Sequence, residues 1–248
     1  MISIILPVYN AKGFIDLTIK SIIDQTYKSW ELIIVDDCSS DYTYEYLLER
    51  YLDHEQILIV KNDFNSGAGF TRNRGLELSK NKLIAFIDAD DLWNERKLEI
   101  QIDFMKKYNY PIVHTSYTFI DEFDNKIPGS VVASPMVSLK SYMKNTEIGM
   151  STAIIDRKLV GDFKFSLMRT RQDTNLWLTL LSQGYKSYGI RDSLVKYRVR
   201  KGQISGNKFK IAFRTFKVFM AVTSIPIYSR MYYFCFYAVN GIYKRIRN

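Results

Sequence analysis

Three carboxylates crowd the stretch Leu83-Ile84-Ala85-Phe86-Ile87-Asp88-Ala89-Asp90-Asp91-Leu92-Trp93. The apolar run from Leu83 to Ile87 reads as a strand buried on both faces, and the acids follow at its carboxyl end. Side chains alternate faces in an extended chain, so Asp88 and Asp90 are expected to point the same way. Like charges held together repel, and a cation between them relieves the repulsion. An all-oxygen donor set suits Mg²⁺ or Mn²⁺ better than zinc. Taken alone, the same residues would serve equally as a solvated acidic turn after a strand.

The surrounding elements decide what such acids could reach. Ile2 to Val8, Glu31 to Asp36, Gln56 to Lys61 and Lys82 to Ile87 read as strands. Phe14 to Ile23, Asp41 to Tyr51 and Gly69 to Leu78 read as the helices between them. That alternation predicts an α/β domain with a mostly parallel sheet and helices on both faces. Ligands bind such sheets beyond the carboxyl ends of the strands. Pro7-Val8-Tyr9-Asn10, Asp36-Asp37-Cys38-Ser39-Ser40-Asp41 and the acid triplet all fall on that edge, which favours a site over a plain turn. The loop Asn65-Ser66-Gly67-Ala68-Gly69-Phe70 lacks the third glycine of a dinucleotide fingerprint and follows the third strand, not the first. No Gly-Lys-Ser/Thr occurs anywhere, so neither NAD nor a P-loop triphosphate is indicated. Arg72 and Arg74 could meet a diphosphate or ribose, or be ordinary surface arginines.

Composition sets the frame. A chain of 248 residues with 47% hydrophobic and 25% charged residues can bury one sizeable core. Cys38 and Cys235 match no metal or redox spacing and read as reduced thiols of a cytosolic protein. Met1 leads almost directly into a strand pattern, so no signal peptide is expected. The net charge of +9 is unevenly spread: beyond Asp192 lie twelve Lys and Arg and no acid, so the body before it is mildly acidic. From Ile225 to Ile246 the bases interleave with Tyr228, Met231, Tyr232, Tyr233, Phe234, Phe236 and Tyr237. Pro226, Arg230 and Asn240 make this stretch a poor membrane span. An interfacial helix closed by Lys244, Arg245 and Arg247 fits an anionic membrane surface, and no nucleic acid is expected as a partner. Packing of its aromatic face on the body is the alternative.

The chain resembles a family 2 glycosyltransferase of the GT-A fold. The resemblance rests on Ser3 to Asn10, Glu31 to Ser39, Thr71-Arg72-Asn73-Arg74-Gly75 and Phe86-Ile87-Asp88-Ala89-Asp90-Asp91. These cover about the first hundred residues in the expected order, a combination more specific than any one piece. Arg171-Gln172-Asp173 before Leu176-Trp177-Leu178 is similar to the family's acidic catalytic motif, and Tyr197-Arg198-Val199-Arg200, then Ser205, to its closing segment. The resemblance implies that Pro7, Tyr9 and Asp37 line the nucleotide pocket, with Asp37 accepting from uracil, and that Arg72 faces the nucleotide. It implies that Asp88 and Asp90 form the Asp-x-Asp motif, Asp90 being the direct ligand of Mn²⁺ or Mg²⁺. Asp91 would lie near the donor sugar, and Asp173 would be the general base. The activity implied is inverting transfer from a UDP-linked sugar to a saccharide acceptor, lipid-linked, in the assembly of cell-surface polysaccharide. The place implied is the cytoplasmic face of a membrane, peripherally bound.

Departures qualify the carry-over. Gln172 stands where many relatives carry Glu, so it offers no second acid. Arg200 stands where many have His; it cannot ligate a metal but can neutralise phosphate, and is expected as a diphosphate contact. Thr71 replaces a small apolar residue, and no function is read into it. The expected division is a transferase domain over 1–197, its nucleotide-sugar half ending at 92, followed by a helical tail over 198–248. Asp121 to Gly129 reads as a hairpin turn region, and Gly149 to Thr152, falling between donor motifs and base, is expected near the acceptor by fold analogy. His54 and His114 lie in unrelated segments, and Trp177 either packs in the core or borders the acceptor. A nucleotidyltransferase acting on sugar phosphates would use the same acids with a triphosphate donor. A non-catalytic membrane binder would have no use for Asp88, Asp90 or Asp173.

Overall fold

The computed structural model describes residues 1–200 and 208–246. The first half alternates as expected: β1 (Ile2–Val8), α1 (Ile15–Ile23), β2 (Trp30–Asp36), α2 (Thr43–Tyr51), β3 (Ile57–Lys61), α3 (Ala68–Leu78) and β4 (Leu83–Phe86). There follow β5 (Leu92–Trp93), α4 (Lys97–Tyr108), β6 (Ile112–Ile120), β7 (Lys126–Val131), β8 (Met136–Val137) and α5 (Leu139–Lys144). After a 3-10 turn at Met150–Thr152 come β9 (Ile154–Asp156), α6 (Arg157–Val160), α7 (Gln172–Ser182) and β10 (Ser187–Arg198). The chain continues in α8 (Lys208–Met220) and α9 (Ile227–Ile246).

One sheet runs through the described residues in the order β3-β2-β1-β4-β9-β6-β10-β5, with β7 on β6 and β8 on β10. β1, β2, β3 and β4 are mutually parallel, as the alternation predicts. The second half departs from that expectation. β9 runs antiparallel to both β4 and β6, while β10 lies parallel to β6 and antiparallel to β5. The sheet is therefore parallel across β1 to β4 and mixed beyond them. β6 and β7 form the hairpin expected around residues 121–129.

All seven residues of β1 are buried, because helices cover both faces of the sheet. Ile4 and Leu6 face the layer of α1 and α4 with Ile15, Ile19, Leu98 and Ile102. Ile5 faces the other layer, with Phe86, Leu76, Trp177 and Phe219. Gly75 lets α3 lie tight on β1: a Cβ there would stand 2.5 Å from Ile5 Cγ2. Trp177 is fully buried, which settles it as core rather than acceptor wall. The boundaries read from sequence shift, since residue 92 lies within β5 and residue 197 within β10. Nor does the tail stand apart: Val218 and Phe219 of α8 and Val222 just after it join the second core layer, with Tyr233, Phe234 and Tyr237 of α9 packed on it. Ser205 and Arg247 lie outside the described residues.

Lys97, at the start of α4, is fully buried; its Nζ has no hydrogen-bond partner and sits 3.9 Å from the Trp93 ring centre. Desolvation pushes the ammonium well below the usual lysine range. Folding below that range's upper end thus releases a proton, and wild-type stability rises with pH up to the free lysine value, about 10.4. Lys97→Met is expected to stabilise the protein most near neutral pH, the gain shrinking as pH climbs toward 10. Urea melts of both proteins across pH measure it; a gain independent of pH would show that Lys97 is charged in the fold.

Candidate active site

β1 and its neighbours β2 and β4 end at one edge, where the strand order switches direction. The loops leaving β1 and β2 are stitched together. Asn10 N–H donates to Ser39 Oγ (2.9 Å), Ser40 N–H to Asn10 Oδ1 (2.9 Å) and Ala11 N–H to Thr43 Oγ1 (3.1 Å). Asn10 and Cys38 take left-handed backbone conformations there, a strain that gathers at ligand sites. Pro7 is buried in β1, while Tyr9 projects, half of it exposed. An exposed ring at a strand end offers a stacking face to a base.

Asp37 is buried and holds the glycine loop. Its Oδ1 accepts from Asn62 Nδ2 (2.8 Å) and Ser66 N–H (2.9 Å), its Oδ2 from Gly67 N–H (2.7 Å). Gly67 has φ +86°, a conformation that spares a side chain, and a Cβ on Gly69 would meet the Ser166 carbonyl oxygen at 2.4 Å. The two glycines thus serve a loop hung on Asp37 and a close crossing of α3 by residue 166, not a dinucleotide. Of the basic motif on α3, only Arg72 reaches the acids. Asn73 bonds both backbone groups of Phe165, and Arg74 donates to Lys61 O (2.6 Å) and Asn62 Oδ1 (2.8 Å).

The acids do not continue the strand. β4 stops at Phe86, and Asp91 N–H closes a turn on the Asp88 carbonyl (3.1 Å), so the expected alternation of Asp88 and Asp90 does not apply. Each carboxylate meets a different neutraliser. Asp88 pairs with Arg72 Nη2 at 2.6 Å, and Asp90 Oδ2 lies 2.7 Å from Arg200 Nε. Both pairs are short, and Arg200 and Arg198 both stack near the Phe14 ring, at 4.8 and 5.1 Å. Burial raises the Asp90 carboxyl, Arg200 lowers it and the Asp88 charge raises it again, with a net upward shift.

The Asp91 side chain is 1% exposed and turned inward, accepting from the Ser151 hydroxyl and from Arg198 N–H (3.0 Å), so it braces the turn. Burial first, then Asp88 and Asp90, push its carboxyl well above the ordinary range. Ser151 also accepts from Asp88 N–H (3.1 Å), and its carbonyl takes the Trp93 indole N–H (2.8 Å). The segment 149–152 therefore supports the acid turn.

Arg198, part of the closing Tyr197 to Arg200 segment but given no role of its own there, is 1% exposed. Its guanidinium donates to Asp90 O (2.8 Å), Asp121 O (2.9 Å) and Asp124 Oδ1 (2.6 Å), tying the β6–β7 hairpin to the turn. Tyr197 belongs to the same segment, whereas Tyr117 carried no signal in the sequence. Burial and then the charge of Asp91 push both hydroxyls up; Tyr197 further feels Asp88 and Asp90, and Tyr117 feels Asp173. Tyr117 thus feels the charge of the acid turn and of Asp173, which sits partly exposed in the first turn of α7. The only sequence signal was the Tyr-Arg pair itself. His114 bonds Ser187 Oγ (2.8 Å) and lies 3.4 Å from Glu147, but all three are buried, which makes the cluster structural.

Among the described residues no group of three or more His, Cys, Asp or Glu could hold a metal by itself. Asp88 and Asp90 nonetheless suit a hard divalent ion, which is commonly held by one or two carboxylates with substrate phosphates and water completing the shell. Arg72 Nε and Nη1 are buried donors without a hydrogen-bond partner, a feature that fits an arriving anion.

A strand–helix half ending in a stitched nucleotide edge, followed by an acid turn and a mixed second half, defines a nucleotide-sugar transferase of the GT-A kind. The chain belongs to glycosyl transferase family 2, an inverting family whose description matches residues 3–164. It is 36% identical over 246 residues to the putative teichuronic acid biosynthesis glycosyltransferase TuaG of Bacillus subtilis (99% of this chain, 98% of TuaG). It is 37% identical over 246 residues to the UDP-Glc:alpha-D-GlcNAc-diphosphoundecaprenol beta-1,3-glucosyltransferase WfgD of Escherichia coli (98% of this chain, 94% of WfgD). The fold is similar to that of S. aureus TarS 1–349 in complex with UDP, with a TM-score of 0.72, 18% identity, and 96% of this chain and 70% of that one covered. It is similar too to the mannosyltransferase PcManGT of Pyrobaculum calidifontis in complex with GDP-Man and Mn²⁺ (TM-score 0.69, 16% identity, 91% and 64% covered).

Ser151→Ala takes a partner from a buried carboxylate and from the Asp88 N–H together. It is expected to lower stability by about 1–3 kcal/mol, read as a lower urea midpoint at unchanged slope. An unmoved midpoint would show that the turn stands without it.

Proposed function

We propose that this glycosyltransferase takes its sugar from a UDP-linked donor and delivers it, with inversion, to a hydroxyl of a lipid-linked saccharide in cell-surface polysaccharide assembly. It works peripherally at the cytoplasmic face of a membrane. The observation that carries the reading is the acid turn at the strand edge, with Asp88 and Asp90 each held by an arginine, together with a separate, partly exposed acid, Asp173, in the first turn of α7. The likeness to WfgD over nearly its whole length supports the UDP-hexose donor and the diphosphate-lipid acceptor.

In this mechanism Tyr9 stacks on the base, and Asp37, through the loop it holds, shapes the pocket around it. Pro7 forms the floor. Arg72 and Arg200 give up part of their hold on Asp88 and Asp90 to meet the diphosphate. Asp90 and Asp88 would hold Mn²⁺ or Mg²⁺, which would supply a Lewis acid for the charge growing on the leaving phosphate. The acceptor oxygen forms its bond to the anomeric carbon as Asp173 takes its proton, while the carbon–phosphate-oxygen bond breaks and its electron pair leaves with UDP. The anomeric carbon carries oxocarbenium character midway, as in glycoside hydrolysis. Attack opposite the leaving group inverts the centre. Asp91 and Arg198 do no chemistry; they keep the turn in place.

Asp173→Asn is expected to cut turnover by about 10²–10⁴-fold while leaving UDP binding within about twofold, since the base touches the acceptor and not the nucleotide. Equal losses in UDP affinity and turnover would remove it from that role. A screen of nucleotide sugars is expected to give transfer or slow donor hydrolysis with Mn²⁺ or Mg²⁺, abolished by chelator and restored by the ion. Activity untouched by chelator would remove the metal, and consumption of UTP with a sugar phosphate would point to nucleotidyl transfer.

A further inference from the structure

α9 carries its polarity inside out. On the side packed against the body, Arg230 donates to the carbonyls of Ile225 (2.8 Å) and Met220 (2.6 Å), and Asn240 donates to Lys144 O (3.0 Å). The Tyr237 hydroxyl accepts there from Arg171 (2.9 Å). The outward side shows Ile227, Tyr228, Met231, Tyr232, Phe236 and Val239, exposed by 41% to 73% and spaced at helical intervals, with Cys235 among them. No exposed position from 227 to 239 bears a charge. A helix docked on a soluble body normally shows the reverse, and a continuous apolar stripe of this kind marks an interaction surface.

Charge selects the occupant. Beyond Asp192 the chain has twelve Lys and Arg and no acid; Arg198 and Arg200 of these are held at the acid turn, and Lys244 and Arg245 lie in the last turns of the helix that bears the stripe. Lys144 stands 5.3 Å from the Phe236 ring centre, at the stripe's border. A second copy would bring two such cationic tails together, with no acid on either to relieve them. A sheet of anionic headgroups matches both features, apolar depth with a basic border and tyrosines at the boundary. Among the described residues no helix is long and apolar enough to cross a membrane, which fits a helix lying in the surface.

We propose that the outward face of α9 beds into the headgroup layer of an anionic bilayer. The same element then orients the transferase: Arg171, two residues before Asp173, is held by Tyr237 of α9, and Arg214 of α8 donates to Thr170 (2.9 Å). Bedding α9 presents the base to an acceptor standing in that membrane. This consequence rests on the lipid-linked acceptor proposed above; the surface itself does not.

The full chain and its Tyr228→Ser/Met231→Ser/Val239→Ser variant would be floated with phosphatidylcholine vesicles, with and without phosphatidylglycerol. The wild type is expected to bind the anionic vesicles and the variant at least about tenfold more weakly, with equal melting temperatures and equal donor hydrolysis in solution. Undiminished binding by the variant would overturn the proposal. So would failure of the wild type to bind together with a dimer in sedimentation equilibrium that the variant splits, which would assign the face to a second copy. Vesicle binding by a wild type that hydrolyses no nucleotide sugar would overturn the functional reading and leave this one standing.

Discussion

Three negative charges within four residues cannot share a tight turn unless each finds its own counterweight, and the architecture around Asp88, Asp90 and Asp91 supplies three different ones. Arg72 comes from a helix of the donor half and Arg200 from the end of the last strand, while Asp91 is withdrawn into the protein against Ser151 and the Arg198 amide. The first two pairings are exchangeable, because an arginine grips phosphate as readily as carboxylate. The third is fixed. The turn can therefore change partners with its ligand without losing its shape.

That demand explains why the second half of the chain is wound as it is. β10 must end beside the turn to deliver Arg198 and Arg200, and it does so by running parallel to β6 at the far side of the sheet. β9 enters between β4 and β6, antiparallel to both, and brings the Met150–Thr152 turn with Ser151 directly under the acids. Arg198 then binds the β6–β7 hairpin through Asp121 and Asp124. Residues from five separate segments, at 72, 88–91, 121–124, 151 and 198–200, converge on the turn.

This is also the line between what could be read in the sequence and what could not. β1 to β4 were legible because strands covered on both faces leave uninterrupted apolar runs, and their order placed Tyr9, Asp37 and the acids on one edge. The shape of the turn was not: alternation presumes extension, and the chain stops being extended at Phe86. Asp91 and its neighbours are the same residue type one position apart, and only burial distinguishes a brace from a ligand. Tyr117 gave no signal, because a partly buried tyrosine on a strand has many ordinary uses. The charge asymmetry of the tail was plain in its residue counts. Which of its aromatics face inward was not, since Phe219 and Tyr237 look no different from Phe236 and Tyr232 until the helices are docked.

Asn73 gives both of its amide bonds to the backbone of Phe165, at 2.9 and 2.7 Å, while Arg72 beside it grips Asp88. Gly69 under Ser166 and Arg169 on Asn65 take up the slack between that point and the start of α7. These contacts tie α3 to the segment that leads into α7, so a small roll of α3 beside Asp88 would be felt at the start of the helix that carries Asp173.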